Sequence, residues 1–121
     1  MATGSTAGTI YLLHYSKPTS RRYQHYLGWT QDPGRRLRRH QSGHGAAETK
    51  RAVAEGAKLM MAQTWTGTLA LEKRLKTWSR GCRAGFSGLC PKCEGGVPLP
   101  ADLQSALGPG SMQRIYHSTA A

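Results

Sequence analysis

Gly8-Thr9-Ile10-Tyr11-Leu12-Leu13-His14 and His25-Tyr26-Leu27-Gly28-Trp29-Thr30 are the stretches on which the fold turns. Each is short and rich in β-branched, aromatic and aliphatic residues, so strands are expected over Thr9–His14 and His25–Thr30. Between them lies Lys17-Pro18-Thr19-Ser20-Arg21-Arg22, whose proline and polar side chains end the first strand and leave a basic loop over Tyr15–Gln24. So short a link favours an antiparallel pair over a crossover connection.

Downstream, the punctuation is helical. Asp32 is placed to cap a helix and Pro33 sits at its first position, where a missing N–H costs nothing. That helix is expected over about Gly34–Gln41, ending in Ser42-Gly43-His44-Gly45. A second is expected over about Ala47–Glu55, closed by Gly56. Lys58–Trp65 suits a third strand. Thr68 caps a third helix, Leu69–Ser79, with Leu71, Leu75 and Trp78 on one face. From Gly81 onward glycine and proline become dense, and apolar periodicity survives only around Leu103–Leu107. These readings give an α/β (α+β) domain, a small three-stranded antiparallel sheet flanked by helices with an irregular C-terminal tail. The divisions are a disordered 1–7, a domain at 8–80 and a tail at 81–121.

The bulk numbers narrow the function. Seventeen Lys and Arg stand against six Asp and Glu in 121 residues, a formal charge of +11. So much positive charge on a short chain favours a polyanionic partner, nucleic acid first. No apolar run approaches the ~20 residues of a spanning helix, so no membrane is expected. The polar start, Met1 to Ala7, lacks the apolar core of a secretory signal. Three cysteines are therefore expected as reduced thiols in a cytoplasmic setting.

Several residues carry chemistry when taken together. Tyr11 and Tyr26 are phenols on neighbouring strands. Alone, each is an ordinary strand former. Arg35-Arg36-Leu37-Arg38-Arg39-His40 puts four guanidiniums within one and a half turns, with Arg36 and His40 on one face and Leu37 as the only large apolar residue. Glu72 lies in the third helix, where an ion pair with Lys76 is the plain alternative to a site role.

In order and residue type, Gly8–Tyr11, Tyr26–Thr30, Arg36, His40 and Glu72 resemble the GIY-YIG nuclease family over roughly residues 8–80. The family pattern has an arginine ten residues after the second tyrosine, then leucine, with histidine four residues after the arginine; Arg36, Leu37 and His40 match it. The resemblance implies an endonuclease that hydrolyses DNA phosphodiester bonds. Tyr11 or Tyr26 would activate water, with Tyr11 favoured, and Arg36 would bind the phosphate. His40 would hydrogen-bond a phosphate, the tyrosine or the leaving group, and Glu72 would hold one Mg²⁺ or Mn²⁺. Gly28 fits a family glycine that leaves room for the metal or phosphate. Lys17, Arg21, Arg22, Arg35, Arg38 and Arg39 are expected on the nucleic-acid backbone. RNA is a second possible substrate, since such contacts do not discriminate the sugar. Fourteen residues separate Tyr11 from Tyr26, more than the family usually shows, and the late asparagine of many members has no counterpart, because the chain contains no Asn. A non-catalytic basic binding module on the same scaffold is the alternative. Oligomeric state is not legible.

The tail adds Cys82 and Cys90-Pro91-Lys92-Cys93. The C-x-x-C spacing suits zinc, but a structural site takes four ligands. Cys82, Cys90 and Cys93 with His117 or His44 form one option, and unliganded thiols form the plainer one.

Overall fold

The computed structural model describes residues 6–82, 85–93, 99–107 and 110–111. Expectations for residues 1–5 and for His117 lie outside them. Strand β1 (Ala7–Tyr15) runs between β2 (His25–Thr30) and β3 (Leu59–Thr68), antiparallel to both. These three strands form the expected sheet. A two-residue strand, β4 (Gly110–Ser111), pairs with the outer edge of β3, giving the order β2-β1-β3-β4. β1 begins at Ala7, opposite Thr68, and β3 continues three residues beyond the expected Trp65. Ladder pairing of Thr66, Gly67 and Thr68 with the start of β1 overrides their weak strand signal.

Because side chains alternate along a strand, β1 feeds two cores. Ile10 and Leu12 join Leu27, Trp65 and Leu75 on one face of the sheet. Tyr11, Leu13 and Tyr15 join Leu37, Ala52, Leu59 and Met61 on the other. Both faces are covered, so Ile10 through Leu13 are completely buried. β3 changes phase along its length. Leu12 opposes Gln63 while Leu13 opposes Met61, which leaves Ala62 as the extra residue of a bulge. That one insertion lets Met61 face one core and Trp65 the other.

The helices start where the caps place them. Asp32 accepts from the Arg35 amide at 3.0 Å and opens α1 (Pro33–Gln41). Gly43 and Gly56, after α1 and after α2 (Ala47–Ala54), have φ of 83° and 90°, a region glycine enters without strain. Thr68 accepts from the Leu71 amide and opens α3 (Leu69–Arg80). Leu71, Leu75 and Trp78 of α3 pack into the Ile10 face, as their spacing predicts. The tail contributes short pieces: 3-10 turns at Gly85–Leu89 and Pro91–Cys93, and α4 (Ala101–Ala106). Leu89, Cys90, Leu103 and Leu107 lie in the same core as Ile10. Among the described residues no helix is long and apolar enough to cross a membrane.

Helix α1 has one apolar anchor, Leu37, which is 1% exposed. Leu37→Ala should therefore cost about 2–5 kcal/mol, read from urea unfolding. Arg38→Ala, one residue along on the exposed side, should change stability by less than about 0.5 kcal/mol.

Candidate active site

β1 and β2 pair so that Tyr11 lies opposite Gly28 and Tyr26 opposite Leu13, on the same face of the sheet. The two phenol rings come within 6.3 Å, centroid to centroid. Gly28 is what permits this. A Cβ at that position would lie 2.5 Å from the Tyr11 hydroxyl oxygen. The space expected for a metal or phosphate is thus filled by the Tyr11 ring.

α1 brings His40 onto both rings, with centroids 5.7 Å from Tyr11 and 5.2 Å from Tyr26. The Tyr11 hydroxyl and His40 Nε2 are 2.7 Å apart, and His40 Nδ1 is 2.7 Å from the Thr49 hydroxyl on α2. Thr49 donates its single hydroxyl proton to the Ala46 carbonyl at 3.0 Å. It must therefore accept from His40 Nδ1–H, which leaves the Nε2 lone pair to accept the Tyr11 proton. A directed chain results, Tyr11 to His40 to Thr49 to backbone. Burial, with Arg36 and Arg39 beside it, pulls the His40 pKa down to about 4, so the ring is neutral at pH 7. Burial also pushes Tyr11 above the usual phenol range; Tyr26 adds to the rise and Arg36 opposes it. Burial raises Tyr26 too, followed by Glu72, again against Arg36.

The charges of Arg36 and Glu72 thus both act on the two phenols. Glu72 is only 4% exposed, unlike the surface carboxylate of its plain alternative. Its partner is nonetheless Lys76, whose Nζ lies 3.2 Å from Oε2 and 5.9 Å from the centroid of the Tyr26 ring. The ammonium occupies the carboxylate as a stand-in cation. A carboxylate offers the hard oxygen donors that suit a divalent ion which keeps most of its waters. A cavity of about 410 Å³ opens alongside, bordered by Tyr26, Lys76, Glu48, Arg80 and Phe86. Tyr26 is half-buried at its wall, while Tyr11 is fully buried.

The basic candidates lie outside this cluster. Lys17, Arg21 and Arg22 are exposed on the loop between β1 and β2, and Arg35, Arg38 and Arg39 on α1. The loop is moored: Glu55 at the end of α2 accepts from the Ser20 amide at 2.7 Å and the Ser20 hydroxyl at 2.6 Å. Of the tail candidates, Cys90 and Cys93 come together, but Cys82 is not with them. His44 does not complete the set either; it bonds Ser42, and its carbonyl accepts from Arg39.

Thr49 and Gly45 carried no readable signal. Thr49 sits in an unremarkable amphipathic turn, and Gly45 looked like loop punctuation. A Cβ at Gly45 would collide with His40 Nδ1 and lie 2.9 Å from the Thr49 hydroxyl. Thr49→Val keeps the shape and removes the acceptor for Nδ1–H. A loss of about 1–3 kcal/mol in urea unfolding is expected for the orphaned group, with a change in the His40 tautomer in ¹⁵N spectra. Thr49→Ser should restore both.

A family model described as the GIY-YIG catalytic domain matches residues 7–84. No curated protein and no solved structure matches the chain. The matched span takes in both tyrosines, the arginine helix and Glu72, the residues that converge on one another in the fold. The chain belongs to the GIY-YIG family, whose domains are nucleases acting on nucleic acid.

Proposed function

We propose that the protein is an endonuclease that hydrolyses DNA phosphodiester bonds with one divalent cation, Mg²⁺ or Mn²⁺. The observation that carries this reading is the contact of Tyr11, Tyr26 and His40 beside Arg36 and a buried carboxylate, Glu72. Glu72 would hold the cation once Lys76 moves off it. A cation held there supplies positive charge for the oxygen that leaves phosphorus. Arg36 binds the scissile phosphate and offsets the charge that builds in the transition state. Tyr11 is the phenol with an outlet for its proton. As water attacks phosphorus, its proton passes to the Tyr11 oxygen and the Tyr11 proton passes to His40 Nε2. Tyr26, at the cavity wall, positions the water and phosphate. Access to Tyr11 requires Tyr26 and Lys76 to give way as substrate enters. Lys17, Arg21, Arg22, Arg35, Arg38 and Arg39 hold the backbone of the nucleic acid. Three unpaired thiols suit a reducing compartment, and we place the protein in the cytoplasm.

One observation favours a non-catalytic binding module instead: Tyr11 is sealed from solvent and Lys76 occupies the carboxylate. Cleavage separates the two. Supercoiled, branched and single-stranded DNA, with RNA alongside, should be incubated with Mg²⁺ or Mn²⁺. Wild type should nick DNA, and Glu72→Gln should leave it intact while still retarding it in a gel. Arg36→Ala should lower the rate on the order of 10²–10³-fold. A wild type that binds DNA and never cuts it assigns the module. Tyr11→Phe and Tyr26→Phe identify the base, and a loss confined to Tyr26→Phe reverses their roles.

The relay has its own pH signature. His40 accepts a proton only while neutral, and its pKa lies near 4. The cleavage rate should be level from about pH 6 to 8 and fall as pH drops toward 4. A steady rise of about tenfold per pH unit between 6 and 8 would mean that preformed phenolate is the base, and would remove His40 from the proton path.

A further inference from the structure

The face of the sheet away from the phenols carries a second constellation. His14 and His25 are register partners at the loop end of β1 and β2, on the alternation that faces Ile10 and Leu27. The tail returns beneath them. The His14 Nδ1 and His25 Nε2 atoms are 3.3 Å apart. Cys90 Sγ is 3.5 Å from His14 Nδ1. Cys93 Sγ is 3.6 Å from His14 Nδ1 and 3.4 Å from His25 Nε2. All four ligand atoms lie within 4.8 Å of one another.

Those spacings can be checked against coordination chemistry. With Zn–S of about 2.3 Å and Zn–N of about 2.0–2.1 Å, a regular tetrahedron has N···N edges of about 3.3 Å and N···S edges of about 3.5 Å. The N···N edge and the three N···S edges given above, four of the six in a tetrahedron, agree within about 0.1 Å. Hydrogen bonding alone explains the group poorly. Neutral imidazoles and thiols offer weak, mutually competing partners here, and nothing in such a set requires four heteroatoms to crowd within 4.8 Å of one another.

We infer that His14, His25, Cys90 and Cys93 bind one zinc ion, and that this site fastens the tail to the β1–β2 hairpin. Four protein ligands fill a tetrahedral shell and leave no position for water or substrate, so the site is structural. Two thiolates and two neutral imidazoles cancel the charge of the ion, and binding releases the two thiol protons to solvent. The site shares no ligand with Glu72, although His25 also borders the cavity beside Tyr26 and Lys76. It also sets the stability of β2 one residue from Tyr26, because His25 is a ligand and Tyr26 its neighbour.

The test uses the full chain, purified under reducing conditions without chelator and with any affinity tag removed. Elemental analysis should give about one zinc per chain, unchanged in Cys82→Ser and in Glu72→Gln. Zinc removed with a strong chelator and replaced by Co²⁺ should produce the visible bands of tetrahedral cobalt together with thiolate charge transfer. Cys93→His keeps four ligands, so it should still bind cobalt with weaker charge transfer; this variant guards against loss of folding in Cys93→Ser. Zinc removal should lower the thermal midpoint, and re-addition should restore it. The inference is overturned by a folded wild type that carries no zinc and gives no cobalt spectrum, or by a Cys90–Cys93 disulfide under the same conditions. An undiminished metal content in a His14→Ala, His25→Ala double variant overturns the ligand set. A thermal midpoint indifferent to zinc overturns the structural role. None of these readouts depends on DNA cleavage.

Discussion

The double burial of β1 governs this protein. A nine-residue strand with partners on both sides and a core on each face has no solvent-facing side chains from Ile10 to Leu13. Its odd positions feed the face where phenols meet α1, and its even positions feed the face where α3 and the tail pack. A shift of one residue in its pairing would send every side chain to the wrong side. Catalytic candidates and cysteine cluster would be scrambled together. Tyr11 and His14 thus take their different surroundings from the same pleat, three residues apart.

On the phenol face, polarity is imported into a largely apolar layer and almost all of it is partnered. The Tyr11–His40–Thr49 chain ends on a backbone carbonyl, and Glu72 is matched by Lys76. Such networks are expensive to leave incomplete, because each orphaned donor or acceptor retains its desolvation penalty. Glycines at 28 and 45 make the close approaches possible, each by removing a Cβ that would strike a functional ring. The site depends on what is absent at those two positions as much as on what is present.

Much of this was legible in the residues. Asp32-Pro33, Thr68 and Gly56 mark helix ends by local chemistry, and local chemistry is what a linear reading sees. Leu37, alone among arginines, had to be the anchor of α1. The phenols, Arg36, His40 and Glu72 were readable because they recur at a spacing that a known family uses. Thr49 and Gly45 were not readable, since their roles exist only relative to a ring contributed by another helix. His14 and His25 were missed for a similar reason: eleven positions apart in the chain, they become neighbours only through strand register. The tail motif showed two ligands, and the missing pair lay some seventy residues upstream rather than at His44.

The ammonium of Lys76 has a consequence for assembly. A carboxylate as buried as that of Glu72 would oppose folding if it arrived bare. A lysine one helical turn away supplies the missing charge from within the same segment, so α3 can dock before any inorganic ion is at hand. Folding of α3 is thereby independent of any inorganic ion, and the divalent cation proposed for Glu72 would have to compete with a resident ammonium. That cation would hold best where a phosphate shares in binding it, so the proposed site would fill with its substrate rather than ahead of it.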